Sequence, residues 1–213
     1  MASITKEEGI LVLDNIIKVI QENKQYLSDI DGAIADGDHG INMNKGFSMC
    51  REELDKNPGD LPYGLNLLSR VLMMKIGGSM GPLYGKFFKA ISLRLAEHET
   101  IDEQALGEAL WASKEAIASI SQAKVGDKTL VDALHPAIDA YQKALDKGKD
   151  FSTALGDMKK AANEGRDSTE DMVARIGRSS RLGERSKGVI DAGAASCALI
   201  LESMADTITE LIY

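Results

Sequence analysis

The sequence predicts an all-α protein of about eight helices, and three observations carry that expectation. Apolar residues recur every three to four positions in segment after segment, the spacing that lines one face of a helix. Ala, Leu, Ile, Lys and Glu abound, whereas aromatic residues make up 5% of the chain and proline occurs four times in 213 residues; such a composition favours helix. No stretch alternates apolar and polar residues in the manner of a half-buried strand.

Taken in order, Thr5-Lys6-Glu7-Glu8 has the spacing of a capping box, and Ile10, Leu13, Ile17 and Ile20 follow at helical intervals. Together they predict an amphipathic helix over 6–26. A turn rich in Asp and Gly comes next, then a helix from Asn42 to about Lys56 that Asn57-Pro58-Gly59 ends. Leu61, Leu65, Leu68, Leu72 and Ile76 form an apolar stripe stopped by Gly77-Gly78. The next helix is expected from Pro82, since proline suits a first helical turn, to about His98. Leu106, Leu110, Ile117 and Ile120 mark another. Leu130, Leu134, Ile138, Tyr141 and Leu145 continue the period in spite of Pro136. Residues 151–165 and a short piece near 168–176 read as helical, a loop rich in Gly, Ser and Arg covers about 177–192, and a last helix runs from about Gly193 to Leu211. No linker divides the chain, so one domain over 1–213 is expected.

The formal net charge of −8 argues against a nucleic-acid groove or an anionic membrane as partner. An acidic protein that binds an anion needs metal ions or oriented backbone amides to do so. Cys50 and Cys197 are too few for a disulfide framework or a zinc site and sit in apolar helical surroundings, as buried thiols do. Asp14, Asn15 and Lys18 interrupt the N-terminal apolar stretch, so no signal peptide is expected. No run approaches the roughly 20 apolar residues of a membrane span, and a cytoplasmic location is the expectation.

Four loops, each joining one expected helix to the next, carry the residues suited to chemistry. The first holds Asp31, Asp36-Gly37-Asp38-His39-Gly40-Ile41-Asn42-Met43-Asn44. A turn that gathers three carboxylates at roughly 4 Å, with an effective dielectric of about 20, would cost about 4 kcal/mol per like-charged pair. Hard oxygen ligands call for Mg²⁺ or Ca²⁺, although turn and N-cap roles would also use Asp here. An EF-hand loop is excluded, because Ala33 and Ala35 fall at ligand positions and Asn42 replaces the closing Glu. The second loop, Gly77-Gly78-Ser79-Met80-Gly81-Pro82-Leu83-Tyr84-Gly85, can bring backbone amides and a helix dipole to an anion, or be a plain helix–helix turn. It is not a Walker A motif, since Met80 stands at its first Gly and Phe87 at its Ser/Thr. The third is Gly126-Asp127-Lys128-Thr129, where Thr129 suits a helix cap. The fourth, Gly177-Arg178-Ser179-Ser180-Arg181-Leu182-Gly183-Glu184-Arg185-Ser186 with Asp191-Ala192-Gly193, offers guanidinium groups for phosphate or ribose or is a solvated loop. In a helical barrel or bundle alternate loops share one end, so the four can converge.

These four pieces, in this order and spacing across nearly the whole chain, resemble the nucleotide-binding L subunit of dihydroxyacetone kinase. The resemblance implies an antiparallel eight-helix barrel with ADP or ATP and two Mg²⁺ in the loops at one end. Asp31, Asp36 and Asp38 match the metal ligands. His39, Gly40, Ile41, Asn42, Gly78, Ser79, Met80, Gly81, Ser121, Gly126, Thr129, Leu130, Arg178, Asp191, Ala192 and Gly193 match the nucleotide-binding stretches, and Arg178 is the expected clamp on the phosphates. Met80 stands where relatives usually carry Ser, which removes a hydroxyl and keeps the backbone amide; Ala192 replaces a common proline, and Ser121 a Gly found in some relatives. No catalytic residue is assigned, and a general base is expected from the partner.

The implied activity is that of a transferase subunit of glycerol metabolism. ADP held by the chain accepts phosphate from a phosphohistidine protein of the phosphoenolpyruvate-dependent phosphotransferase system and passes it to dihydroxyacetone on a K subunit. The alternatives are a subunit exchanging free ATP, a module of a fatty-acid kinase, and a non-catalytic regulatory paralogue. A homodimer is compatible with the sequence.

Overall fold

The structure is a computed structural model and describes residues 2–213. Among the described residues there are nine α-helices: α1 (Ile10–Glu22), α2 (Lys24–Ile34), α3 (His39–Lys56), α4 (Leu61–Lys75), α5 (Met80–Ala96), α6 (Glu103–Ala118), α7 (Leu130–Asp146), α8 (Phe151–Ser168) and α9 (Ala192–Leu211). Each helix from α3 to α8 packs on the next; α9 lies against α7 and α8, and α1 closes the ring on α9, α3 and α4. The all-α expectation holds. The apolar stripes point inward as the spacing predicts: Leu13, Ile17 and Ile20 of α1, Leu65, Leu68 and Leu72 of α4, and Leu134, Ile138 and Tyr141 of α7 are all buried. Phe47, Phe87 and Phe88 meet edge to face, with centroids 5.9 Å and 4.9 Å apart, the arrangement that aromatic quadrupoles favour. Cys50 and Cys197 are buried and free, and burial pushes the Cys50 thiol up to about 12.

Several boundaries differ from expectation, each for a local reason. The helix expected over 6–26 is two helices, broken at Asn23 (φ −97°, ψ 11°), whose side-chain amide donates to the Val19 carbonyl at 2.8 Å. Short amides compete with the helix ladder in this way, and the chain continues as α2 into the Asp region. The Thr5–Glu8 pair does form its reciprocal bonds, Glu8 amide to Thr5 Oγ1 at 3.1 Å and Thr5 amide to the Glu8 carboxylate at 2.9 Å. It closes a turn ahead of α1 rather than the helix itself, which begins at Ile10. Helices α3 and α5 start at His39 and Met80, earlier than the expected Asn42 and Pro82. The piece near 168–176 shrinks to a 3₁₀ turn at Thr169–Asp171, and a further 3₁₀ stretch spans Arg178–Ser186 inside the expected loop.

One small sheet escaped the period analysis. Strand β1 (Ser3–Thr5) pairs antiparallel with β2 (Thr100–Asp102), Ile4 opposite Ile101, and both isoleucines are buried. Three residues are too few to display a period.

Pro136 lies inside α7, where it cannot donate to the carbonyl four residues back, that of Asp132. Against that carbonyl α8 presents Gly165; a Cβ there would overlap the Asp132 oxygen and lie 3.0 Å from Ala133 Cα. Backbone atoms cannot yield as a side chain would. We expect Gly165→Ala to lower stability by about 1–3 kcal/mol through overpacking, in spite of alanine's better helix propensity. Urea unfolding followed by circular dichroism measures it, and an unchanged or higher midpoint contradicts the close contact.

Candidate functional site

The loops between α2 and α3, α4 and α5, α6 and α7, and α8 and α9 meet at one end of the ring and enclose a cavity of about 530 Å³. Four helices begin there: His39 opens α3, Met80 opens α5, Leu130 opens α7 and Ala192 opens α9, and all four residues line the cavity. Each N-terminus brings unpaired amides and the positive end of a helix dipole, so the four together favour an anion. Two of these ends carry side-chain caps. The Thr129 hydroxyl accepts from the Val131 amide at 3.2 Å, and Asp191 accepts from the Ala194 amide at 2.8 Å. Neither Asp38 nor Ser79 caps its helix with its side chain. The first turn of α5 therefore keeps the Met80 amide free of any side-chain cap, while in α3 the His39 amide is taken by Asp31.

On one wall stand Asp31, Asp36 and Asp38, each with a carboxylate oxygen within 4.8 Å of the others. Asp31 belongs to the last turn of α2 rather than to a free turn, and it accepts the His39 amide at 3.3 Å. Asp38 takes the N-cap position of α3 in helical conformation, makes no side-chain cap bond and leaves its carboxylate to the cavity. Arg178 reaches across from the fourth loop, paired with Asp36 and 3.6 Å from Asp38. All three side chains of this ion pair are about half exposed, so water screens it and its stabilising effect is small. Formally, one guanidinium opposes three carboxylates and two negative charges remain. Three hard oxygen donors so close together, with that residual charge, fit Mg²⁺ or Ca²⁺.

Beneath the cavity runs a buried polar chain. His39 Nε2 lies 2.9 Å from Ser196 Oγ, which lies 2.7 Å from the Tyr84 hydroxyl; Tyr84 also donates to the Gly193 carbonyl at 3.2 Å. It joins α3, α9 and α5 immediately behind their N-termini. Burial lowers the His39 pKa to about 4, against the opposing pull of Asp31, and pushes the Tyr84 phenol well above its usual range. At neutral pH the imidazole is uncharged and joins this chain by a hydrogen bond.

The other two loops are fixed by buried charge. The Asp132 carboxylate accepts from the Gly126 amide at 2.5 Å and the Thr129 amide at 2.7 Å, which shapes the turn before α7. Asp191 is partly buried, and desolvation raises its pKa to about 7, with the Ala194 amide and Lys128 acting in the opposite direction.

Of the residues singled out from the sequence, His39, Asn42, Gly78, Ser79, Met80, Ser121, Thr129, Leu130, Arg178, Asp191, Ala192 and Gly193 line the cavity with the three aspartates. Gly40, Ile41, Gly81 and Gly126 lie in the same loops but off its wall. Gly40 is the α2–α3 crossing point: a Cβ there would overlap the Lys24 carbonyl oxygen and lie 2.6 Å from Ser28 Oγ. Ile41 is exposed, Gly81 packs on the backbone at Ile76, and the Gly126 amide serves Asp132. Tyr84, Ser196, Asp132 and Lys128 are further site residues whose roles no sequence motif marks. Ser196 and Asp132 sit alone in apolar helix stretches and carry no motif, whereas Tyr84 and Lys128 fall inside quoted loops without a pattern that declares their role.

The family model described as the DAK2 domain matches residues 33–206. The chain is 37% identical over 204 residues to "PEP-dependent dihydroxyacetone kinase 1, ADP-binding subunit DhaL" of Listeria innocua, covering 95% of this chain and 96% of that protein. It is 31% identical over 191 residues to "PEP-dependent dihydroxyacetone kinase, ADP-binding subunit DhaL" of Escherichia coli, covering 88% and 90%. The native crystal structure of the dihydroxyacetone kinase of C. freundii superposes with a TM-score of 0.68 at 21% identity, over 97% of this chain and 36% of that one. Its complex with AMP-PNP and Mg²⁺ gives 0.65 at 23% identity, over 92% and 33%. At those identities the superposition speaks to the fold. With the family model spanning most of its length and relatives of its own size aligned nearly end to end, the chain belongs to the DAK2 domain family.

Proposed function

We propose that this chain is the ADP-holding subunit of a phosphoenolpyruvate-dependent dihydroxyacetone phosphotransferase. In this reading it receives phosphate from a phosphohistidine protein of the phosphotransferase system and delivers it to dihydroxyacetone held on a K-type partner. The observation that carries the reading is the convergence of four helix N-termini and three carboxylates on one cavity. Relatives named as ADP-binding subunits, aligned over 90% or more of their length, supply the substrate class.

Asp31, Asp36 and Asp38 are the proposed ligands of Mg²⁺, two ions in all. Held there, the metal would supply neutralisation of phosphate charge. The chain's own residues then divide the work of positioning. Among the first-turn amides of α3 and α5, that of Met80 lies on the cavity wall and is the proposed donor to the phosphates, where a backbone donor needs no reorganisation. His39, neutral and tied to Ser196, is suited to donate a hydrogen bond to a phosphate oxygen without adding charge. Met80 offers its amide there and no hydroxyl. Ser121, Thr129, Leu130, Asp191, Ala192 and Gly193 form the remainder of the nucleotide wall. Arg178, on the outer loop beside Asp36 and Asp38, is the proposed clamp on the phosphates. Nothing on the chain is assigned as a general base for the ketose hydroxyl, and the partner is the proposed source.

Three outcomes are expected. The purified chain should retain ADP through gel filtration in Mg²⁺ and lose it in EDTA. Asp36→Asn should lose ADP while its helical circular dichroism stays within error of the wild type; ADP retained by that variant would remove the three aspartates from the metal role. With a K subunit and the phosphotransferase proteins added, phosphoenolpyruvate should drive formation of dihydroxyacetone phosphate while labelled ADP remains on the chain for many turnovers. Label lost at each turnover, with free ATP sustaining the rate, would instead favour a subunit that exchanges ATP.

A further inference from the structure

Lys128 is the one non-glycine residue with positive φ (+63°) among the described residues, and its side chain is almost wholly buried. Left-handed backbone disfavours any side chain relative to glycine, and burying an ammonium is costly unless it is well paired. Both costs are met at one point beside the cavity. The Lys128 Nζ donates to the Thr169 carbonyl at 2.6 Å and to the Val189 carbonyl at 2.5 Å. Burial lowers its pKa, while Asp191, Glu170, Asp132 and Asp171, the acids around it, act to hold the proton.

Those two carbonyls are the ends of one loop. Between them the chain leaves α8, carries Arg178 out to Asp36 and Asp38, and returns to α9. The ends are drawn together by the Gly188 amide on the Glu170 carbonyl at 2.8 Å, and Ala174 is tied to Ser186 Oγ at 2.9 Å. From the same neck the Thr169 hydroxyl accepts the Asp191 amide at 3.0 Å, one residue before α9 begins. The ammonium thus bonds both ends of the arginine loop from the turn that precedes α7. It is the only buried cation in the described structure.

We propose that Lys128 is a positioning residue: its ammonium latches the neck of the 170–188 loop, so that Arg178 and the start of α9 stay over the cavity and govern how long nucleotide is held. This rests on the nucleotide-holding reading only for its last clause; the latch itself is a property of the ligand-free chain.

The test uses the full chain and three variants. Lys128→Met keeps bulk and removes charge. Lys128→Gly relieves the left-handed strain, so a merely geometric role would leave it as good as wild type or better. Lys128→Cys alkylated with 2-bromoethylamine restores an ammonium on a side chain of nearly lysine length. In the nucleotide-free chain, hydrogen exchange over 169–191 should quicken about tenfold in Lys128→Met and Lys128→Gly, equivalent to about 1.4 kcal/mol, and return towards wild type on alkylation. Exchange elsewhere and helical circular dichroism should stay unchanged. With Mg²⁺ and a fluorescent methylanthraniloyl-ADP, release should be faster in the same two variants while binding still requires Mg²⁺. Wild-type exchange over 169–191 in Lys128→Gly, quickening spread evenly over the chain, or no recovery on alkylation would overturn the latch. Failure of the wild type to hold methylanthraniloyl-ADP would instead defeat the nucleotide-holding reading, with the exchange result still deciding the latch.

Discussion

Crowding of negative charge at Asp31, Asp36 and Asp38 is the constraint that the cavity end of the molecule answers. Three carboxylates with oxygens within 4.8 Å repel one another strongly unless cations or aligned dipoles lie near. The fold brings both. Arg178 arrives from a loop far along the chain, and α3, α5, α7 and α9 direct their N-termini at the same volume. An acidic protein of net charge −8 thereby builds a locally anion-accepting pocket. The aspartates are placed by packing: α2 and α3 approach so closely at Gly40 that a methyl group would meet the Lys24 carbonyl, and this contact sets Asp31 beside Asp38 across the turn.

Below the pocket, polar groups are spent on holding helix starts rather than on surface contacts. The chain from His39 through Ser196 to Tyr84 locks three helices in register, and Asp132 shapes the turn before the fourth. Buried hydrogen bonds of this kind contribute little net stability each, yet leaving one partner unmade is costly. They therefore act as geometric constraints, which is what a site that works by positioning phosphates requires.

Much of this was legible in the sequence because long helices repeat their apolar signal many times. Leu65, Leu68 and Leu72, or Leu134, Ile138 and Tyr141, declare a buried face whatever the neighbours are. The ends were less legible. Asn23 breaks a helix through a single side-chain bond, Asp38 precedes α3 without capping it, and three-residue strands show no period at all. At the site, Asp and Gly residues clustered within short motifs were visible, and alternate loops of a helical ring had to converge. The roles of Ser196, Asp132 and Lys128 were not visible, because each acts on a residue distant in sequence: Ser196 on His39, Lys128 on Thr169 and Val189. Only tertiary packing supplies those partners.

On the proposed function, metal and nucleotide are held as one unit by the aspartate wall and the helix starts. Calorimetric titration of ADP into the nucleotide-stripped chain, at a series of fixed Mg²⁺ concentrations, tests it most directly. ADP affinity should climb steeply with Mg²⁺ in the wild type, and the dependence should flatten in Asp36→Asn. Equal ADP affinity in EDTA and in Mg²⁺ would contradict it.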